Sequence, residues 1–428
     1  MSDLVIRGGE VIDASGRRRA DVLIGADGLI EAVGEGLDGA ATELDAGGCV
    51  VAPGLVDLHA HLREPGREEA ETVETGSRAA ALGGYTAVVA MPNTDPAIDS
   101  AGVVREVQQL GSRGLCDVHP AGAITVGRAG EALAPMAEMA ELGVRVFTDD
   151  GTGVQDDGLM RRAMEYASGL PQPVVLAQHC EVSSLSAGGH MHEGSVSSRI
   201  GIPGIPAAAE ELMVVRDLAL GRVTGARVHF QHLSTGESVR LVREGRAAGV
   251  AATAEVAPHH FTLTDAEVES YDPVFKVNPP LRPPSEVDAV RSALADGSVD
   301  AIATDHAPHP QEAKEQAFEE APPGMLGLET ALGLALTELD LDLVDVLALM
   351  SWQPAAIAGL SDEHGGPIAE GRVANLCVID PAAPWTVDAS RTASRSRNNP
   401  YAGRTLEGRV RHTILRGEAV VLDGEAQR

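Results

Sequence analysis

The chain has 428 residues, 44% of them hydrophobic and 3% aromatic, and a formal net charge of −30. That length suits a large α/β barrel with an appendage, or two to three smaller domains. The charge argues against nucleic acid and anionic membranes as partners, and no apolar run approaches the ~18 residues of a membrane span.

The chain starts MSDLVIRGGEVIDASG, without the apolar stretch of a secretory signal. Cys49, Cys116, Cys180 and Cys377 are scattered and form no CxxC pair, so a reduced, cytoplasmic protein is expected. Lys276 and Lys314 are the two lysines; arginine carries the remaining positive charge.

In chain order, the first fifty residues read as short strands broken by Gly-Gly and Asp-Gly turns: LVIRGGEVID, ADVLIGADGLIEAVG, ATELDAGGCVVAPG. The end, GGPIAEGRVANLCVID and GRVRHTILRGEAVVLDG, reads alike. Residues 1–52 and 361–428 are therefore expected to pair into one small β-sandwich domain, since neither end alone has strands enough to bury a face. Residues 53–360 alternate apolar runs with helix-period segments. The runs are LVDLHAH, YTAVVAMPN, CDVHPAGAI, VRVFTDD, PVVLAQH, RVHFQHL, VAATAEVAPHH and VDAIATDHAPH. Helical segments between them include ETGSRAAALGG, GLMRRAMEYASG, AAAEELMVVRDLALG and ESVRLVREGRAAG. Eight such units predict an α/β fold, a (β/α)8 TIM barrel.

Groups able to bind metal stand at the ends of these runs. His59 and His61 end the first, Asp149 and Asp150 the fourth and His179 the fifth; His232 closes the sixth and Asp305 follows the eighth. The C-terminal ends of barrel strands share one face, so these residues should converge. His59 and His61, two apart on a strand, point to the same side. Singly, each has a bland reading: a core histidine, a turn aspartate, a loop cap. Their placement at the same end of successive strands favours a metal centre. Four histidines and two carboxylates suffice for one or two Zn2+, and a carboxylate between two ions can bridge them. His119, His259 and His260 read as packing or supporting groups, and His306 as orienting Asp305. His190, His192, His364 and His412 read as surface residues, and Cys180 as facing away from its neighbour His179.

The stretch VDLHAHLREPG at 56–66 resembles the metal signature of bacterial dihydroorotases. MPNT at 91–94, FTDDG at 147–151, AQHCE at 177–181, VNPPLR at 277–282, ATDHAPH at 303–309 and PPGMLGLET at 322–330 are also similar to that family. The resemblance covers nearly the whole chain. It implies zinc-dependent cyclisation of N-carbamoyl-L-aspartate to L-dihydroorotate, reversibly, in pyrimidine biosynthesis. It implies that His59 and His61 hold one zinc, that His179 and His232 hold a second, and that Asp150 bridges them. Asp305 would be both a ligand of the first zinc and the catalytic base. His61, Arg63, Asn93, Asn278, His309 and the backbone of Pro323 and Gly324 would hold the substrate. A homo-oligomer is expected.

Two other readings compete. Hydantoinases and allantoinases usually bridge their metals with a carboxylated lysine on the fourth strand; neither lysine here lies near it. Some dihydroorotase-like chains lack the ligands and serve as structural partners of aspartate transcarbamoylase; here every ligand position is filled, although that partnership can coexist with activity.

Overall fold

The computed structural model describes residues 2–427. The eight barrel strands, first to eighth, are Leu55–Ala60, Tyr85–Ala90, Asp117–Pro120, Val146–Phe147, Val175–His179, Val228–Gln231, Ala252–Val256 and Ala301–Ile302. The first three pair in parallel, as do the last five. Parallel bridges between Gly122 and Phe147 and between Ala60 and His306 join the two groups into a closed ring.

The fourth and eighth strands are shorter than their apolar runs, two residues each. In both, the chain leaves the ladder near a threonine whose side chain bonds a residue on another strand. Thr148 Oγ1 donates to Gln231 Oε1 at 2.7 Å, and Thr304 Oγ1 donates to Asp57 Oδ2 at 2.5 Å. Asp149, Asp150 and Asp305 follow directly, freed from sheet geometry.

Short polar side chains start several of the helices. Thr72 accepts from Thr75 N ahead of Val73–Leu82, Asp156 from Leu159 N ahead of Asp157–Ser168, and Thr235 from Ser238 N ahead of Gly236–Ala247. Helix Ala208–Thr224 stops at Gly225, whose φ of 72° is the left-handed conformation that glycine adopts freely. Small and aliphatic residues fill the barrel: Leu58, Val89, Ala121, Val146, Ala177 and Ala301 pack in one buried cluster. This is how a core closes with few aromatics.

Both chain ends build the β-sandwich. One sheet has the order 425–426, 418–422, 405–415, 376–386, 50–53, 10–13, 16–19, mixing strands from the two ends. The other, 30–34, 21–25, 2–7, 40–45, comes entirely from the N-terminal segment. That end therefore forms a sheet by itself but cannot cover it. Ile6, Val22 and Ile24 are covered by Ile368, Leu376, Val378 and Ile414 from the other end.

Two histidines expected at the surface are buried. His364 is 1% exposed and His412 3%. Their polar neighbours in sequence suggest a surface, but His364 is enclosed against Thr86 and Asp117 of the barrel, and His412 lies on an inner strand of the sandwich, where its Nδ1 accepts from Asp423 N at 3.2 Å. His190 and His192 are half-buried.

Candidate active site

The ends of the first, fourth, fifth, sixth and eighth strands bring the expected ligands together. His59, His61 and Asp150 form one group of potential metal-ligating atoms, and Asp150, His179 and His232 a second, all buried. Asp150 belongs to both. Its Oδ1 lies 3.3 Å from His59 Nε2, 3.6 Å from His179 Nδ1 and 3.5 Å from His232 Nε2, and its Oδ2 lies 3.5 Å from His61 Nε2. Asp305 Oδ1 is 3.2 Å from His61 Nε2 and 3.6 Å from His59 Nε2. His59 Nε2 and Asp150 Oδ1, which face each other within this cluster, are buried without hydrogen-bond partners. Orphaned acceptors at such a cluster fit divalent cations, and the N and O donor set fits zinc.

Asp149 has a different task. Its Oδ1 accepts from Ile124 N at 2.8 Å and Thr125 N at 3.0 Å, tying the ends of the third and fourth strands. Burial would raise the Asp150 carboxyl, but the charge of His59 and the close imidazoles of His179 and His232 override it and hold Asp150 well below the usual range. Asp305 is likewise lowered: burial opposes this, but the His61 hydrogen bond and the His59 charge prevail.

Arg63, His232 and Asp305 have φ of 63°, 34° and 45°. They are three of seven non-glycine residues with positive φ among the described residues. Left-handed backbone at such side chains is strained and concentrates where function requires it.

A supporting layer stands outside the motifs. Glu255, 0% exposed on the seventh strand, takes His59 Nδ1 at 2.9 Å on one oxygen and His229 Nε2 at 2.9 Å on the other. Burial pushes this carboxyl up, but the His229 and His59 bonds outweigh it and bring it down to about 2. The carboxylate thus fixes the tautomer of His59 that leaves Nε2 free for metal. The inward alternation of VAATAEV is the available sequence signal, since a glutamate among buried strand positions needs partners. Glu255→Gln leaves one acceptor oxygen for two imidazoles. It should weaken zinc binding and kcat/KM by ~10–100-fold; unaltered zinc affinity by competition titration would remove Glu255 from this role.

Asn93, expected at the substrate, accepts from His61 Nδ1 at 2.9 Å and so orients that imidazole. His306 does not orient the Asp305 carboxylate: its Nε2 bonds Glu71 at 3.3 Å and its Nδ1 accepts from Gly327 N at 3.2 Å. The neighbouring Asp57–Thr304 bond anchors the start of that turn instead. His260 Nε2 donates to Pro279 O at 3.0 Å, and His259 Nε2 lies 3.9 Å from Asp305 Oδ2, so both stay supporting groups.

His119 belongs to a separate cluster with Asp117 and His364. Asp117 accepts from Arg416 at 2.7 Å and His364 Nε2 at 3.1 Å, while His364 Nδ1 faces Thr86 Oγ1 at 3.1 Å. These contacts use the polar atoms of Asp117 and His364, and the cluster ties the barrel to the sandwich.

Arg63 is 6% exposed, and its Nε donates to Pro308 O at 3.1 Å. Burial and the Arg67 charge lower it to about 10, so it stays cationic at neutral pH. Asn278 Nδ2 lies 3.5 Å from His179 Nε2, and its Oδ1 is buried without a partner. His309 Nε2 donates to Pro323 O at 2.9 Å. Gly324 has φ of 141°, and a Cβ there would sit 2.9 Å from His309 Nε2, so this rim needs glycine. Asn398, from the segment before the final strands, donates to Ala307 O at 2.9 Å and Gly324 O at 3.1 Å, a tie across sequence that no local pattern announces.

A family model described as dihydro-orotase-like matches residues 48–238, and one for the amidohydrolase family matches 204–421. The dihydroorotase of Pelotomaculum thermopropionicum is 50% identical, covering 98% of this chain and 99% of its own. That of Streptomyces coelicolor is 51% identical, covering 99% and 100%. Among solved structures, L-hydantoinase (dihydropyrimidinase) from Arthrobacter aurescens superposes with a TM-score of 0.89 at 26% identity, covering 100% and 98%. D-hydantoinase (dihydropyrimidinase) from Thermus sp. gives 0.81 at 26%, covering 99% and 96%. The barrel is thus shared with hydantoinases, but the fourth strand here leads into Asp149-Asp150 rather than a lysine. Sequence kinship over the full length and a paired, carboxylate-sharing metal centre agree: the chain belongs to the dihydroorotase family of cyclic-amide hydrolases, within the amidohydrolase superfamily.

Proposed function

We propose the following division of labour for the interconversion of N-carbamoyl-L-aspartate and L-dihydroorotate. The observation that carries it is the buried Arg63 guanidinium beside a centre where two histidine pairs share Asp150. His59, His61, Asp150, His179, His232 and Asp305 would hold one or two zinc ions. Zinc held there would supply water of lowered pKa, toward ~7, and a positive charge against which the ring carbonyl oxygen could develop negative charge. Asp305, ionised and next to His61 Nε2, accepts the proton of the attacking water and delivers it to the leaving ring nitrogen. Cyclisation runs the same transfers backwards.

Arg63 grips the substrate carboxylate with two parallel hydrogen bonds, a local cation against a net charge of −30. The free Asn278 Oδ1 can accept a substrate N–H. His61, Asn93, His309 and the backbone of Pro323 and Gly324 shape the remaining wall.

A steady-state comparison of dihydroorotate, hydantoin and allantoin, on wild type and Arg63→Lys with zinc analysis, tests this reading. Dihydroorotate should be the preferred substrate. Arg63→Lys keeps charge but loses the fork, so dihydroorotate turnover should fall ~10-fold or more, as expected when a charge-assisted bond of ~1.5–3 kcal/mol is lost. Hydantoin, which has no carboxylate, should lose far less. Equal losses on both, or a preference for hydantoin in the wild type, would overturn the assignment.

A homo-oligomer is part of the proposal, supported by an exposed apolar stripe of Leu212, Val215 and Val223 on helix Ala208–Thr224. Partnership with aspartate transcarbamoylase rests on family resemblance alone. No helix among the described residues is long and apolar enough to cross a membrane. The four cysteines are free and buried, which supports the cytoplasmic reading.

A further inference from the structure

The chain's two lysines lie together beside the rim of this site. Lys314 ends the short helix Gln311–Lys314. Its ammonium donates to three carbonyl oxygens: Pro273 at 3.0 Å, Lys276 at 3.3 Å and Pro322 at 2.8 Å. The Lys276 oxygen also accepts from Gly324 N at 2.8 Å. Lys276, 6% exposed, sends its own ammonium back to Glu319 O at 2.9 Å. Two separate segments, 272–278 and 311–324, are therefore cross-tied by two ammonium groups and one backbone bond. One segment carries Asn278; the other carries Pro323 and Gly324.

The residue type is informative. Every other cation in the sequence is an arginine. Three converging carbonyls suit a compact ammonium with three donors; a planar guanidinium fork cannot meet them in the same way. A lysine is thus placed where its geometry matters.

We propose that Lys314 is a positioning residue: its ammonium pins segment 272–278 to segment 311–324 and so sets the separation of Asn278 and the Pro323–Gly324 backbone across the bound substrate. This rests on the assignment of those groups as substrate contacts. Without the pin, the loop samples more conformations and binding must order it, which weakens affinity. The ligands and Asp305 lie on other segments, so the chemical step is left largely intact. A loss of uniform binding raises KM and spares kcat.

The test is Lys314→Met with full zinc content, read by steady-state kinetics and by amide hydrogen exchange without substrate. Exchange across 316–324 should quicken, KM for dihydroorotate should rise ~10-fold or more, and kcat should stay within about threefold. Unaltered exchange overturns the pin itself. Quickened exchange with wild-type KM overturns the substrate contacts assigned to Asn278 and Pro323–Gly324, and the positioning role with them. A fall in kcat at constant KM overturns the positioning role by making Lys314 part of the chemical step. Should the methionine variant not fold, Lys314→Arg keeps the charge but spreads its donors in a plane, and KM should still rise about threefold or more; wild-type kinetics and exchange there overturn the proposal.

Discussion

Asp305→Asn should lower dihydroorotate hydrolysis and cyclisation alike by at least ~100-fold, the lower range for a lost general acid–base group. The substitution keeps side-chain shape and an oxygen facing His61 but removes proton acceptance. The residue is well held: Asp57, buried on the first strand, accepts from Thr304 N at 2.8 Å immediately before it. Asparagine should therefore occupy the same place with the same positive φ, a conformation it tolerates better than most residues. Initial rates in both directions, with zinc content and thermal stability as controls, decide the matter. Activity within a few-fold of wild type at normal zinc content would remove Asp305 from proton transfer.

Asp150→Ala should be at least as damaging, by another route. Both potential metal groups of this centre include this carboxylate. Its removal leaves four buried histidines facing each other without the anion between them. The expected result is loss of zinc along with activity, beyond the ~10–100-fold typical when a group merely supporting a ligand is changed. Zinc per chain measured after dialysis, alongside kcat/KM, is the check. Asp149→Ala is the informative contrast: its carboxylate holds Ile124 N and Thr125 N, so it should cost stability before it costs metal. Full zinc and activity in Asp150→Ala would overturn the shared-ligand arrangement.

Much of this centre is legible in the amino-acid sequence. A period-two pattern says which side a strand residue faces, so His59 and His61 can be paired from spacing. Barrel geometry then says that the ends of strands converge, which gathers His179, His232 and the aspartates without knowledge of distances. Strand periodicity also tells the barrel from the β-sandwich, because the middle alternates with helices and the ends do not.

The tertiary structure decided the rest, and the reason in each case is that the partner is remote in sequence. FTDDG offers two adjacent aspartates, and the choice between them depends on Ile124 and Thr125 claiming Asp149. Glu255 supports His59 across 196 positions. His306 follows Asp305 in the chain yet turns to Glu71, 235 positions away, because a side chain bonds what packs against it rather than what precedes it. His364 and His412 sit among charged sequence neighbours and are buried all the same, His364 against Asp117 of the barrel and His412 on an inner strand of the sandwich. The sequence by itself determined that candidate metal ligands gather at the ends of barrel strands, since this follows from local periodicity and side-chain functional groups, and its motifs carried the family resemblance that implies the chemistry. The supporting partners, the choice between equivalent candidates and the ties that hold the rim were decided by long-range packing, which no local window of sequence contains.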